Sequence, residues 1–69
     1  MNYSIEVFYT NPEIVNRCKT VFYAENVTGM IEAYNLARDS FKKSDLHNIK
    51  FGACMLGLHI MCGDEWRKK

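Results

Sequence analysis

Near its C-terminal end the chain sets two thiols and an imidazole close together, Cys54, His59 and Cys62, in the order Cys-x4-His-x2-Cys. Thiolate and imidazole are zinc ligands, but structural zinc takes four of them in two tight pairs, and the fourth would have to be His47 or Cys18. The spacing matches no zinc finger, and a buried cysteine in a strand ordinarily serves as a small hydrophobe, so the expectation is packing and no metal. A cysteine nucleophile would use the same residue types; Cys54 with His59 or His47 supplies thiol and base, without a local signature or an oxyanion hole. There is no Gly-rich phosphate loop, no recognisable pair of carboxylates, and too little mass to wall off a dry pocket. The sequence predicts neither a catalytic site nor a cofactor.

What remains is contact chemistry. Trp66 followed by Arg67, Lys68 and Lys69, with Lys42 and Lys43 elsewhere, has the ingredients of a stacking ring among phosphate contacts. Against this, nine basic and eight acidic side chains leave a formal net charge of +1, and no aromatic-rich RNA signature is present. The bland reading of Asp64 to Lys69 is a solvated, charged tail. With 48% apolar residues, four Phe, four Tyr and one Trp, the chain gains more by burying rings than by collecting phosphates. A protein partner is therefore favoured, and nucleic acid is kept as the alternative.

The elements that must position these residues are legible in part. From Tyr23 to Phe41 the apolar residues Val27, Met30, Ile31, Tyr34, Ala37 and Phe41 follow a helical period, with Asn26 as N-cap and Lys42 and Lys43 at the C-terminal end. Gly29 costs about 1 kcal/mol in a helix relative to Ala, so the regular helix begins at Asn26 or a few residues later. Asn2 to Thr10 alternates as a strand, with Tyr3, Ile5, Val7 and Tyr9 on one side and Ser4, Glu6 and Phe8 on the other. Pro12 to Asn16 reads as a short helical turn or a loop, Lys19 to Ala24 as a second strand, and Ile49 to Met55 as a third. Leu56-Gly57 is expected to turn the third strand into a hairpin with Leu58 to Cys62, although Gly52 and Gly57 would also suit bulges in one long bent strand.

The resulting order, strand, strand, helix, strand, strand, predicts an α+β fold: a two-layer single domain over 1–69, with an antiparallel sheet of three to four strands and one helix across one face. The sheet's other face then carries some of Glu6, Phe8, Val21, Tyr23, Lys50 and Cys54, and exposed rings on a single-layer sheet mark a contact surface. The candidate partner-binding residues are Glu6, Phe8, Tyr23 and Lys50 on that face and Trp66, Arg67, Lys68 and Lys69 in the tail. A chain of 69 residues buries only about 60% of its unfolded surface, so pairing with a copy of itself through the open face or an edge strand is also expected. No charged leader with an apolar core is seen, and no apolar run approaches the ~20 residues of a membrane span; three cysteines, an odd number, suit reduced thiols in cytosol.

Val21-Phe22-Tyr23-Ala24-Glu25-Asn26, then Glu32-Ala33-x-x-Leu36-Ala37, then Ile49-Lys50-Phe51 resembles a pattern of very small bacteriophage host-takeover proteins. It is similar to the phage-encoded inhibitor of bacterial RNA polymerase and, in layout, to small helix-on-sheet anti-CRISPR proteins, over about Thr20 to Met55. Asn26 and Gly29 stand where that pattern has Ser or Thr and an acid. No binding residue carries over. The resemblance implies a class of function: a soluble, non-enzymatic phage protein of the host cytoplasm that binds and blocks a larger host complex of defence or transcription.

Overall fold

Alternating branched and aromatic residues make the first strand, β1 (Tyr3–Asn11), and burial on both faces makes it the centre of the sheet. The computed structural model describes residues 1–63 and 65–69. β1 runs antiparallel to β2 (Asn16–Ala24) on one side and to β3 (His47–Leu56) on the other, in the order β2-β1-β3. The helix α1 (Met30–Lys42) lies across one face, and a separate antiparallel pair, β4 (His59–Cys62) with β5 (Glu65–Lys68), completes an α+β fold.

Opposed residues on paired strands share a face, so the register assigns every side chain. Ile5 and Val7 of β1, fully buried, meet Ala24 of β2 and Ala33 and Ala37 of α1. Alanines at the contact let the helix axis come close, and the gap on either side is filled by Phe22, Tyr34, Phe41 and Phe51, stacked edge to face at centroid distances of 6.1 to 6.3 Å. Two register shifts bend β3: Glu6 of β1 faces both Gly52 and Ala53, and Tyr9 faces both Asn48 and Ile49. Each extra residue inverts the alternation. Cys54, expected on the open face, is turned under the helix against the core, while Met55 takes its place opposite Ser4. Tyr34 donates its hydroxyl proton to the Gly52 carbonyl (2.9 Å), tying the helix to that bulge.

Between β1 and β2 the expected short turn forms: the Asn11 carbonyl accepts the Val15 amide (2.8 Å), closing a single helical turn that is not continued, and the Asn11 side chain accepts the Glu13 amide (2.9 Å). Other expectations are corrected. β2 begins at Asn16, before Lys19. Asn26 is not the N-cap: it sits in the left-handed region (φ 58) and gives its amide to the Asn2 side chain (3.0 Å), while the helix starts at Met30 behind Gly29. Val27 is buried outside the helix, exchanging two hydrogen bonds with the Met1 backbone (2.8 and 2.9 Å). The inward face is consequently Ala33, Tyr34, Ala37 and Phe41, and Met30 and Ile31, expected inside, are 50% and 80% exposed. Finally, β3 does not form a hairpin with β4, and Glu65 to Lys68 of the expected tail is a strand; Asp64 lies outside the described residues.

The first turn of α1 is closed by Glu32, whose carboxylate accepts the hydroxyl and the amide (2.9 Å) of Thr28. These bonds, first the hydroxyl and then the amide, hold the Glu32 carboxyl below its ordinary value of 4.5. A carboxyl with a depressed folded pKa stabilises the fold above its unfolded pKa, and the contribution is lost as pH falls through the folded value. Glu32→Gln is expected to lower the urea midpoint at neutral pH, with the gap to wild type closing on acidification below the ordinary carboxylate range. A gap that stays constant with pH would contradict the cap.

Candidate functional site

The helix covers one face of the sheet; the other is divided in two by the β4–β5 pair. Ser4, in β1 and pointing away from the helix, is wholly buried. Its hydroxyl donates to the Gly57 carbonyl (2.7 Å) and accepts the His59 amide (2.7 Å), so the chain leaving β3 is clamped down onto β1 just as β4 begins. Gly57 adds a bond from its amide to the Asn2 carbonyl (2.7 Å), with a positive φ of 97 that favours glycine at this corner. β4 then crosses toward β2, where the Gly63 carbonyl accepts the Lys19 ammonium (3.3 Å). At the other end of the pair, the Lys69 amide bonds the Leu58 carbonyl (3.0 Å) and its ammonium sits 4.3 Å from the centre of the Tyr23 ring.

This flap has two sides of its own. His59, Met61 and Trp66 share one and are partly buried, with the His59 and Trp66 rings edge to face at 6.5 Å; Ile60, Cys62, Glu65 and Arg67 share the other and are exposed. Nδ1 of His59 is buried without a hydrogen-bond partner among the described residues. Cys54, His59 and Cys62 are thereby separated: the thiol of Cys54 lies under the helix, where burial pushes its pKa up, the sheet stands between it and His59, and Cys62 points outward. A thiol held protonated under a helix is a poor nucleophile and a poor ligand. Among the described residues no three His, Cys, Asp or Glu side chains come together as a metal site.

Of the residues that the sequence marks for contact, the structure keeps some together and disperses others. Glu6, Phe8 and Lys50 share the half of the face that the flap leaves uncovered. Tyr23 lies instead at the clamped end, opposite Ser4 and beneath Lys69. Trp66 is half-buried in the flap, Arg67 makes an exposed ion pair with Glu65 (3.9 Å), and Lys68 is exposed opposite His59.

Three residues that the sequence reading missed complete the uncovered half. Lys19 is directly opposite Phe8 from β2 as Lys50 is from β3, and the next row sets Arg17 and His47 on either side of Thr10. The result is one ring at the centre of the sheet between two ammonium groups, with a guanidinium one row on. Among the described residues none of Arg17, Lys19 and Lys50 is in an ion pair, and Lys19, at the border of the flap, donates to the Gly63 carbonyl. Phe8 lies over Gly52, where a Cβ would stand 3.0 Å from its ring and would meet the Glu6 carboxylate, so the glycine provides the notch in which both side chains rest. Glu6 in turn accepts the Ala53 amide (3.5 Å). Arg17 and Lys19 were legible only by extending the β2 alternation of Tyr23 and Val21 backward; His47 lay in a segment that reads as a polar turn.

Comparisons with protein-family models, with characterised proteins and with solved structures find no match to this chain. Among the described residues no helix is long and apolar enough to cross a membrane.

Removing the clamp tests this division. Ser4→Ala leaves a partly buried carbonyl and a partly buried amide without their partner, each costing up to about 1–3 kcal/mol, and is expected to release the flap before the sheet unfolds. Trp66 fluorescence should then lose its transition at lower urea than the far-ultraviolet signal of the sheet and helix. Coincident, unshifted transitions would show that the hydroxyl is not what holds the flap.

Proposed function

We propose that this chain is a small non-enzymatic inhibitor of the phage host-takeover kind, working in the host cytoplasm by binding and blocking a larger protein complex through the uncovered half of its sheet. The observation that carries the reading is the Lys19–Phe8–Lys50 row, a ring held in a glycine notch between cations that have no ion-pair partner among the described residues. A pre-positioned aromatic ring with flanking charge is the composition of a binding hot spot, since its rotamer is already restricted before the partner arrives. The charge calls for an acidic surface on the partner, and its long-range field raises the association rate.

A protein fits this surface better than a nucleic acid does. Among the described residues the uncovered half carries one phenyl ring, Phe8, and one imidazole, His47, where single-strand binders stack successive bases on several rings. The Glu6 carboxylate beside that ring would repel a run of phosphates, while on a protein partner it can accept a donor at a defined position. The basic residues at the C-terminal end are dispersed and form no phosphate track: Lys69 lies over Tyr23, Arg67 pairs with Glu65, and Lys68 is exposed opposite His59.

Immobilised wild-type protein in a bacterial lysate should retain one discrete assembly, whose affinity is then titrated with variants at two salt concentrations. Phe8→Ala is expected to weaken binding by about 2 kcal/mol or more, and Lys19→Glu with Lys50→Glu to slow association and remove most of its salt dependence. Retention of no assembly, with single-stranded DNA or RNA bound at a log–log salt slope of about −2 to −3, would replace this reading with nucleic-acid binding. Full affinity in Phe8→Ala would remove the ring from the contact.

A further inference from the structure

The sheet has two free edges, and they are unlike. β3 is bent by two bulges, at Asn48–Ile49 and Gly52–Ala53, the first with Asn48 in the left-handed region (φ 53), and a bulged edge is a poor template for another strand. β2 pairs with β1 over nine residues in unbroken register, contains no proline, and leaves its far side without a strand partner. Along that flank, between β2 and the flap, runs a cleft of about 670 Å³ lined by Thr20 and Val21, which point to opposite faces of the sheet, and by Ile60 and Met61. The chain exposes 4850 Å², above the roughly 4,500 Å² of a compact 8.1 kDa monomer.

We propose that β2 pairs antiparallel with the β2 of a second copy about a two-fold axis through Val21, joining two sheets into a continuous six-stranded one. The sequence of the strand is what selects the occupant. In antiparallel pairing, opposed residues share a face, so only registers whose opposed residue numbers sum to an even value keep both helices on one side of the joined sheet. With the axis at Val21, Lys19 falls opposite the partner's Tyr23, Thr20 opposite the partner's Phe22 and Cys18 opposite the partner's Ala24, and just past the end of the ladder Arg17 stands level with the partner's Glu25, the residue that follows β2. Each pair occurs twice. Arg17 and Glu25 are both exposed, and neither has an ion-pair partner among the described residues. No like charges meet in this register. Moving the axis to Thr20 lengthens the ladder to the whole of β2 but sets Glu25 against the partner's Val15 and Arg17 against the partner's Tyr23, so both copies of the charge pair are lost. Moving it to Phe22 shortens the ladder and takes Arg17 away from Glu25. The flanks of the strand are thus complementary in charge in one register, which those of an arbitrary peptide would not be.

The contact takes in Lys19 and Arg17 but leaves Phe8 and Lys50 free, and substitutions at Arg17 and Glu25 leave the Lys19–Phe8–Lys50 row unaltered, so the dimer is tested apart from the partner surface proposed above. Sedimentation of the intact chain from micromolar to millimolar concentration, with far-ultraviolet circular dichroism to confirm folding, tests it. Wild type is expected to be a dimer in this range. Arg17→Glu alone and Glu25→Arg alone each place like charges opposite one another twice and should weaken dimerisation by about tenfold or more. The double reversal, Arg17→Glu with Glu25→Arg, should restore it. A wild type that stays monomeric throughout overturns the proposal, and so does a dimer that neither single reversal weakens or that the double reversal fails to recover.

Discussion

One buried hydroxyl organises the side of the molecule away from the helix. Ser4 is the only polar residue among the fully buried side chains described, and its two 2.7 Å hydrogen bonds to Gly57 and His59 are what turn the chain after β3 back across the sheet. Inside a protein such bonds are strong and leaving either partner unmet is costly, so a small polar group can fix a crossing that apolar packing alone would leave loose. The consequences run outward. The C-terminal segment becomes a two-stranded flap, Lys69 reaches Tyr23, and one half of the sheet is closed while the other stays open.

The open half owes its composition to the two bulges in β3. Without the bulge at Gly52–Ala53, the register that sets Lys50 level with Phe8 would carry on to place Cys54 outward and Met55 inward. Gly52 serves both sides at once: its carbonyl receives Tyr34 from the helix layer, and its missing side chain makes room for Glu6 and Phe8 on the opposite face. The same residue therefore couples the packing of the core to the shape of the contact surface. Burial of Tyr34 in this arrangement, with Cys54 nearby, raises its hydroxyl's pKa and keeps it a donor.

The layered α+β fold and the inner residues of β1 and β2 were legible because period-two alternation survives wherever a strand is regular and one face is buried. It failed in β3, where an inserted residue inverts the pattern at a position that only the identity of Gly52 could betray. Asn26 reads as the cap of α1 because Val27 and Met30 continue the helical spacing numerically, although Val27 is held by the N-terminal backbone and not by a helix; Gly29 carried the signal for the later start. Ser4 gave no signal at all: its role depends on Gly57 and His59, more than fifty residues away, and a lone serine in a strand carries no periodicity. The basic residues of the tail were seen as a group by their types, but the pairing of β4 with β5 disperses them, while Arg17 and Lys19 gather at Phe8 through a strand pairing that no local pattern announces.

The division of the sheet by a clamped flap is the claim on which the contact surface rests, and the His59 amide reports it most directly. Native-state hydrogen exchange resolves the opening of individual backbone bonds. If Ser4 holds the flap down, the His59 amide exchanges as slowly as the amides of the β1 ladder, since its acceptor is wholly buried. Exchange at the rate of an unstructured amide, with the β1 ladder still protected, would mean that the flap is free and the whole sheet face is open.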